Sequence, residues 1–234
     1  MKLFSLRMLS VAALLSSTFV LGTHLSAHAL SIRVSQDGGG SFDCTDSAGC
    51  DTDGSPGSVH LADPFPSIDV SANVTGTGVP ILGSKAFPDL DLNAVVTGPG
   101  TYRVLVTDTG LTGPLPSGLQ SFNFAVGGTT RGTITITAYL DDANNPFAKT
   151  TSLATLGAFT SPGGSLFAFN DTKVGNGNAD VPYSLTIEAV ITQTTGQITS
   201  FNTELEATPE PSSLLLLGSG LLGLGWLRRK QKNS

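Results

Sequence analysis

The sequence predicts an all-β protein, a single antiparallel β-sandwich of either the jelly-roll or the immunoglobulin-like kind. Apolar side chains recur at every second position through much of residues 30–206, which is the period of a half-buried strand. Clusters of glycine, proline and asparagine separate these stretches, and no stretch carries a sustained apolar stripe at helical spacing. Because strands without crossover helices pair antiparallel, two sheets packed face to face are the expected closure.

Each predicted strand follows from its own alternation. In chain order the alternating stretches are 31–35, 59–62, 68–74, 90–94, 102–107, 122–126, 132–140, 165–169, 184–192 and 198–205. In the stretch 132–140, for example, Ile134, Ile136 and Ala138 share one face and polar residues the other. Residues 175–180, Gly-Asn-Gly-Asn-Ala-Asp, are interpreted as a surface loop because of their turn-forming composition.

Residues 1–29 have the organisation of a secretory signal peptide. Two basic residues, Lys2 and Arg7, precede an apolar stretch, and Ala27 and Ala29 form a small-x-small site for signal peptidase. Cleavage after Ala29 would leave an exported chain. The alternative is an uncleaved first membrane helix.

The stretch between the two ends of the chain is strongly acidic. Residues 30–208 hold six of the twelve Lys and Arg and seventeen of the eighteen Asp and Glu, so their formal charge is −11. Nucleic acid is therefore not an expected partner, because phosphate binding depends on clustered basic residues. The length suits one domain, predicted over residues 30–206, followed by a separate tail over 207–234.

The tail begins with a break in structure and continues as an apolar run. Pro209, Glu210 and Pro211 cannot continue a strand or enter a helix interior, since each proline lacks an N–H. The uncharged residues 212–227 follow, and as a helix they would cover about 24 Å. That is short of a hydrocarbon core of about 30 Å, so we predict a transmembrane helix of minimal length.

A basic end, 228–232, sets the orientation of this helix. Arg228, Arg229 and Lys230 stay in the cytoplasm by the positive-inside rule, so the domain before the tail lies outside the inner membrane.

The order of triplet, apolar span and basic end resembles the PEP-CTERM sorting signal of bacterial exported proteins. That signal is read by membrane proteases called exosortases, and the tail is also similar to a segment described as an ice-binding protein C-terminal domain. The resemblance implies a membrane-anchored precursor that an exosortase processes at or near 209–211. It further implies release to the cell surface or extracellular matrix, in a biofilm rich in exopolysaccharide. The alternative is a simple membrane anchor that is never cut.

Cys44 and Cys50 are the only cysteines, and both lie in the exported region. In an oxidising compartment a Cys-x5-Cys pair in a loop of small polar residues predicts a local disulfide. A metal half-site is the alternative, but no histidine lies close enough in sequence to complete a zinc set.

Acidic residues surround this cysteine loop. Asp51 and Asp53 precede Gly54 at alternate positions, which makes them weak candidates for a structural calcium ion. The alternative is a solvated acidic loop, because the glutamate of a full EF-hand is absent. No other cofactor is expected.

Catalysis has little support in the sequence, and we predict a non-enzymatic protein. His60 is the only histidine outside the signal peptide, and no nucleophile-elbow motif is present. The alternative function is a glycan-active or glycan-binding protein delivered by the same signal. Its candidate residues are the carboxylates Asp141, Asp142, Glu204 and Glu206, and the sugar-stacking rings Tyr139 and Tyr183.

Overall fold

The computed structural model of the chain describes residues 30–62, 70–75, 88–112, 118–208 and 219–222. These residues contain twelve β-strands. The strands are β1 (Ser31–Gln36), β2 (Ser41–Thr45), β3 (Ser58–Ala62), β4 (Val70–Thr75), β5 (Asp89–Thr97), β6 (Gly100–Leu111), β7 (Gly118–Thr130), β8 (Thr133–Asp141), β9 (Thr151–Thr160), β10 (Phe167–Ala179), β11 (Tyr183–Gln193) and β12 (Ile198–Thr208). A 3₁₀ turn at Pro162–Gly164 follows β9, and residues 219–222 form one short helical segment.

The strands form two six-stranded sheets whose described neighbours all pair antiparallel. Sheet A has the order β2-β1-β6-β11-β8-β9, and sheet B has the order β10-β7-β12-β5-β4-β3. Within them, β6-β11-β8-β9 and β5-β12-β7-β10 have the strand order of a jelly roll, and β1 to β4 widen each sheet by two strands. The predicted all-β, antiparallel, two-sheet architecture is confirmed.

One apolar core lies between the sheets. Strand β8 shows how the sequence builds it, since Ile134, Ile136 and Ala138 are fully buried while the threonines between them are only half-buried. Strand β12 repeats the pattern in sheet B with Phe201 and Leu205. Both sheets contribute alternate residues to the same core. A register shift of one residue in either strand would therefore turn its apolar side chains from the core to the solvent.

The predicted surface loop 175–180 is wrong, because most of it belongs to β10. That strand pairs with β7 along its whole length, from Phe167 opposite Thr130 to Ala179 opposite Gly118. Its glycines permit the close approach of β9. A Cβ on Gly175 would lie 2.7 Å from the carbonyl oxygen of Leu153, and one on Gly177 would lie 2.8 Å from Cδ2 of the same leucine.

Strands β2 and β9, both at edges of sheet A, were not predicted from the sequence. Strand β9 pairs with β8 through two register irregularities, so its side chains do not keep a simple period of two. Strand β2 has only five residues, and only Cys44 is fully buried in it. Short or irregular edge strands carry little alternation, and alternation was the signal used.

Residues 142–150, which connect β8 to β9, cover part of the outer face of sheet A. The Lys149 ammonium lies 2.9 Å from a carboxylate oxygen of Glu188, and the Arg33 guanidinium stacks 4.3 Å from the centre of the Phe147 ring. Glu188 points away from the core but is only 5% exposed under this cover.

Candidate functional site

The residues predicted to direct export and sorting lie outside the described residues. They are Ala27, Ala29, Pro209, Glu210, Pro211, Arg228, Arg229 and Lys230. The predicted span 212–227 also lies outside them, apart from 219–222. Within the ranges that the structure describes, no helix has both the length and the apolar character required to cross a membrane. Strand β12 ends at Thr208, so the domain reaches the residue before the triplet.

The predicted disulfide between Cys44 and Cys50 is confirmed. The two sulfurs are bonded, and the Cα atoms are 5.8 Å apart. Cys44 lies in β2 and Cys50 packs against the same core, so the bridge fixes the loop 45–49 to the edge of sheet A.

The calcium candidates Asp51 and Asp53 instead bind hydrogen-bond donors of their own loop. Oδ1 of Asp51 accepts from the backbone N–H groups of Asp53 and His60 at 2.9 and 3.0 Å. Oδ2 of Asp53 accepts from the Ser58 hydroxyl at 2.8 Å, and this bond is the main reason that the pKa of Asp53 lies below its usual value. These hydrogen bonds therefore stabilise the loop between β2 and β3.

The other acids near this loop are also oriented towards nearby donors. Asp43 forms two hydrogen bonds with the Arg33 guanidinium, at 2.7 and 2.6 Å. Asp46 accepts from the backbone N–H of Gly57 at 2.7 Å. A calcium ion at Asp51 and Asp53 stays a prediction, and the geometry favours the alternative of a hydrogen-bonded loop.

The carboxylates predicted for a glycan-active site fall into two separate groups, with Asp141 and Asp142 at the end of β8 and Glu204 and Glu206 on β12. Asp141, at the end of β8 in sheet A, is buried and accepts hydrogen bonds from the Thr150 hydroxyl at 2.5 Å and the Asn145 N–H at 2.9 Å. Burial acts to raise the pKa of Asp141, but these hydrogen bonds outweigh it and hold the pKa below its usual value. Glu204 lies on β12 in sheet B, so it belongs to the other layer of the sandwich.

The two rings predicted to stack on sugars differ in burial. Tyr183 is fully buried and donates a hydrogen bond to Oε1 of Gln120 at 3.1 Å, so its ring offers no face to a ligand. Tyr139 is half-buried on sheet A and donates to Oε2 of Glu188 at 3.3 Å.

Three acidic side chains do converge, on the outer face of sheet B. Strands β5 and β12 pair so that Asp91 lies opposite Glu204 and Asp89 lies opposite Glu206. One carboxylate oxygen from each of Asp89, Asp91 and Glu204 lies within 4.8 Å of one from each of the other two. We refer to Asp89, Asp91 and Glu204 as the acidic triad.

The electrostatics of the acidic triad are unfavourable when all of its members are ionised. Asp89 is 8% exposed, and its Oδ1 accepts no hydrogen bond from the described part of the chain. Burial raises the pKa of Asp89 to about 7, and the charges of Glu204, Asp91 and Glu206 act in the same direction. Burial, Asp91 and Glu206 likewise raise the pKa of Glu204. Such a group of carboxyls can hold a shared proton or a hard cation.

Sequence patterns alone single out one member of the acidic triad, Glu204, with Glu206 beside it. Alternation in 90–94 and 198–205 also puts Asp91 and Glu204 on the polar faces of two predicted strands. It could not bring the two strands together, because β5 and β12 are far apart in the chain. The sequence does carry two matching signals, Asp-x-Asp at 89–91 and Glu-x-Glu at 204–206. Only the pairing register of β5 with β12 brings these two stretches together.

Comparison with known proteins identifies the tail. Residues 207–230 match the family model of the PEP-CTERM protein-sorting motif. No curated protein matches the sequence.

Two solved structures resemble parts of the chain at low similarity. One is the enzymatically active domain of tailspike protein 4 from bacteriophage CBA120, with 13% identity and a TM-score of 0.31 over 63% of this chain and 20% of that one. The other is an isomalto-dextranase of Arthrobacter globiformis T6 complexed with panose, with 12% identity and a TM-score of 0.22 over 75% of this chain and 30% of that one. The chain thus spans less than a third of either protein.

Proposed function

We propose that this chain, which carries a PEP-CTERM protein-sorting motif at residues 207–230, is a non-enzymatic β-sandwich protein of the cell surface or extracellular matrix. The observation that carries the proposal is the match of the tail to the sorting motif. The motif implies export through the membrane, anchoring by the C-terminal end, and processing by an exosortase. A surface or matrix destination, in a biofilm with exopolysaccharide as a partner, is our extension of that sorting route.

The proposed route has an order set by the two ends of the chain. Signal peptidase cuts after Ala29 and frees the N-terminal end of the domain. The span 212–227 then holds the precursor in the inner membrane with the basic end 228–232 in the cytoplasm. An exosortase cuts at or near 209–211 and releases the sandwich, in which β12 ends at Thr208.

The domain suits an extracellular setting. Its disulfide between Cys44 and Cys50 forms and persists in oxidising compartments. The formal charge of −11 over residues 30–208 favours solubility and association with cations over binding to nucleic acid or anionic lipid.

The experiment compares the native protein with a variant in which Pro209, Glu210 and Pro211 are all alanine. We expect the native chain to lack residues 1–29 and the tail by intact mass, and to leave the membrane fraction. The triple variant should keep its tail and stay in the membrane. A matched control, Ser212→Ala with Ser213→Ala, changes the residues next to the triplet and should be processed like the native chain.

Two results would contradict this proposal. A native chain that keeps its C-terminal span would make the tail an ordinary anchor. A triple variant processed like the native chain would show that the protease does not read the triplet.

The glycan-active alternative gains no supporting observation. It needs two carboxylates on either side of one sugar bond, whereas Asp141 and Glu204 lie in different sheets. Hydrolysis of any polysaccharide by the native protein, lost in Glu204→Gln, would revive it.

A further inference from the structure

We propose that Asp89, Asp91 and Glu204 form a calcium-binding site on the outer face of sheet B. The proposal concerns the folded domain and holds whether or not the tail is processed. The site is distinct from the sorting motif and from the calcium candidates Asp51 and Asp53.

The chemistry of the acidic triad is that of a hard-cation site. All three ligands are carboxylates, and calcium takes six to eight oxygen ligands at about 2.3–2.6 Å, whereas zinc favours nitrogen and sulfur. The oxygens lie within 4.8 Å of one another. Calcium accepts irregular geometry with mixed carboxylate and water ligands, whereas magnesium demands near-ideal octahedral geometry and keeps several waters, so calcium is the better fit to three carboxylates fixed on two strands.

The second observation is the unpartnered oxygen of Asp89. The side chain is more than nine-tenths buried, and Oδ1 accepts no hydrogen bond from the described residues. A buried carboxyl oxygen without a partner destabilises a fold. Because a carboxylate oxygen of Asp89 lies among those of Asp91 and Glu204, a cation held there would give this buried group a ligand.

The surroundings of the triad allow the coordination to be completed. Asp91 and Glu204 are half-buried, so water can reach the outer side of the site. Glu206 lies opposite Asp89 in the register and adds a fourth negative charge near the site. A divalent cation would offset the negative charge that these four carboxyls bring to one place.

Bound calcium would also crosslink β12 to its neighbouring strand β5. Asp89 and Asp91 belong to β5 and Glu204 to β12, and β12 leads directly into the sorting motif. The ion would therefore strengthen the pairing of the strand from which the tail emerges.

The test uses the full chain purified in detergent and stripped of metal with a chelator. Calcium chloride is titrated by calorimetry and by thermal unfolding, with sodium chloride of equal ionic strength as the salt control. We expect a Kd of about 10⁻⁴–10⁻³ M, as in other extracellular calcium modules. At about ten times the Kd, Tm should rise by about 3–6 °C.

Two variants and one control make the assignment specific. Asp89→Asn should abolish the calcium-dependent heat and the Tm shift. Glu204→Gln, at a half-buried position, should do the same and serves if the first variant does not fold. Asp142→Asn removes an exposed acid next to sheet A and should bind calcium like the native chain.

Three results would overturn the proposal. One is the absence of a calcium-specific Tm shift in the native chain, which would leave a shared proton as the explanation of the triad. Another is an unchanged shift in both Asp89→Asn and Glu204→Gln. The third is loss of binding in Asp51→Asn while Asp89→Asn still binds, which would place the ion in the cysteine loop.

Discussion

At the scale of single residues, folding changes the protonation of Asp89. Its pKa is raised from 3.8 to about 7, first by burial and then by Glu204, Asp91 and Glu206. Between these two values the unfolded chain has lost this proton and the folded chain keeps it. The unfolded state then binds fewer protons, so stability falls as the pH rises.

We therefore predict that the metal-free protein loses stability between about pH 4 and pH 7 through this group. Urea unfolding at a series of pH values in the presence of a chelator measures the effect. Asp89→Asn should remove this part of the pH dependence, because asparagine does not titrate, whereas Asp142→Asn should retain it. An identical pH profile in the native chain and in Asp89→Asn would show that Asp89 does not keep its proton in the folded state.

Residue patterns in the sequence predicted local chemistry better than distant contacts. The spacing of Cys44 and Cys50 was sufficient to predict a disulfide because the two residues share one short loop. Asp91 and Glu204 face each other only because β5 pairs with β12 in one particular register. No local pattern contains that information, so Glu204 could be named from the sequence, whereas its approach to Asp89 and Asp91 could not be predicted.

At the scale of elements, alternation predicted the strands that have one buried and one exposed face. Strands β8 and β12 follow this rule almost residue by residue. Strand β10 does not, because its Gly-Asn-Gly-Asn stretch has the composition of a turn. There the requirement for a close approach to β9 overrides local propensity, and glycine is the residue that permits it.

We predict that Gly175→Ala destabilises the protein by about 1–3 kcal/mol, the usual range for overpacking a filled site. The added methyl would lie 2.7 Å from the carbonyl oxygen and 2.9 Å from the carbonyl carbon of Leu153, and these backbone atoms cannot rotate away as the end of a side chain can. Chemical denaturation of the two proteins measures the change. Gly127→Ala, on the adjacent strand β7, is the matched control. A Cβ at Gly127 would have no heavy atom within 4 Å apart from its own chain neighbours.

The control should be neutral or slightly stabilising, since alanine restricts the unfolded chain more than glycine does. Equal free energies of unfolding for Gly175→Ala and the native chain would mean that β9 can move away from β10 without loss.

At the scale of the whole molecule, the two sheets share one core and close at their edges. Strands β9 and β10 lie at one lateral edge, where Gly175 and Gly177 meet Leu153. Strands β2 and β3 end the two sheets at the other edge, next to the disulfide loop. Because a single core joins both layers, the described sandwich should unfold as one cooperative unit.

The disulfide tests this cooperativity, because it lies at one edge of sheet A and far along the sheet order from β9. Its loop is short, so replacing both Cys44 and Cys50 with alanine should cost about 2 kcal/mol on the chain-entropy model. In a domain of this size that corresponds to a fall in Tm of about 4–8 °C. Reduction of the native chain under denaturing conditions, followed by refolding in reductant, should give the same fall.

Hydrogen exchange then distinguishes global from local destabilisation. If the sandwich unfolds as one unit, the slowest-exchanging amides of β12 in sheet B should lose as much protection as those of β6 in sheet A. Loss confined to β1 and β2 would contradict a single cooperative unit and make this edge a separate unfolding region. We expect the first result, because Cys44 and Cys50 both contact the core that Leu205 of β12 helps to form.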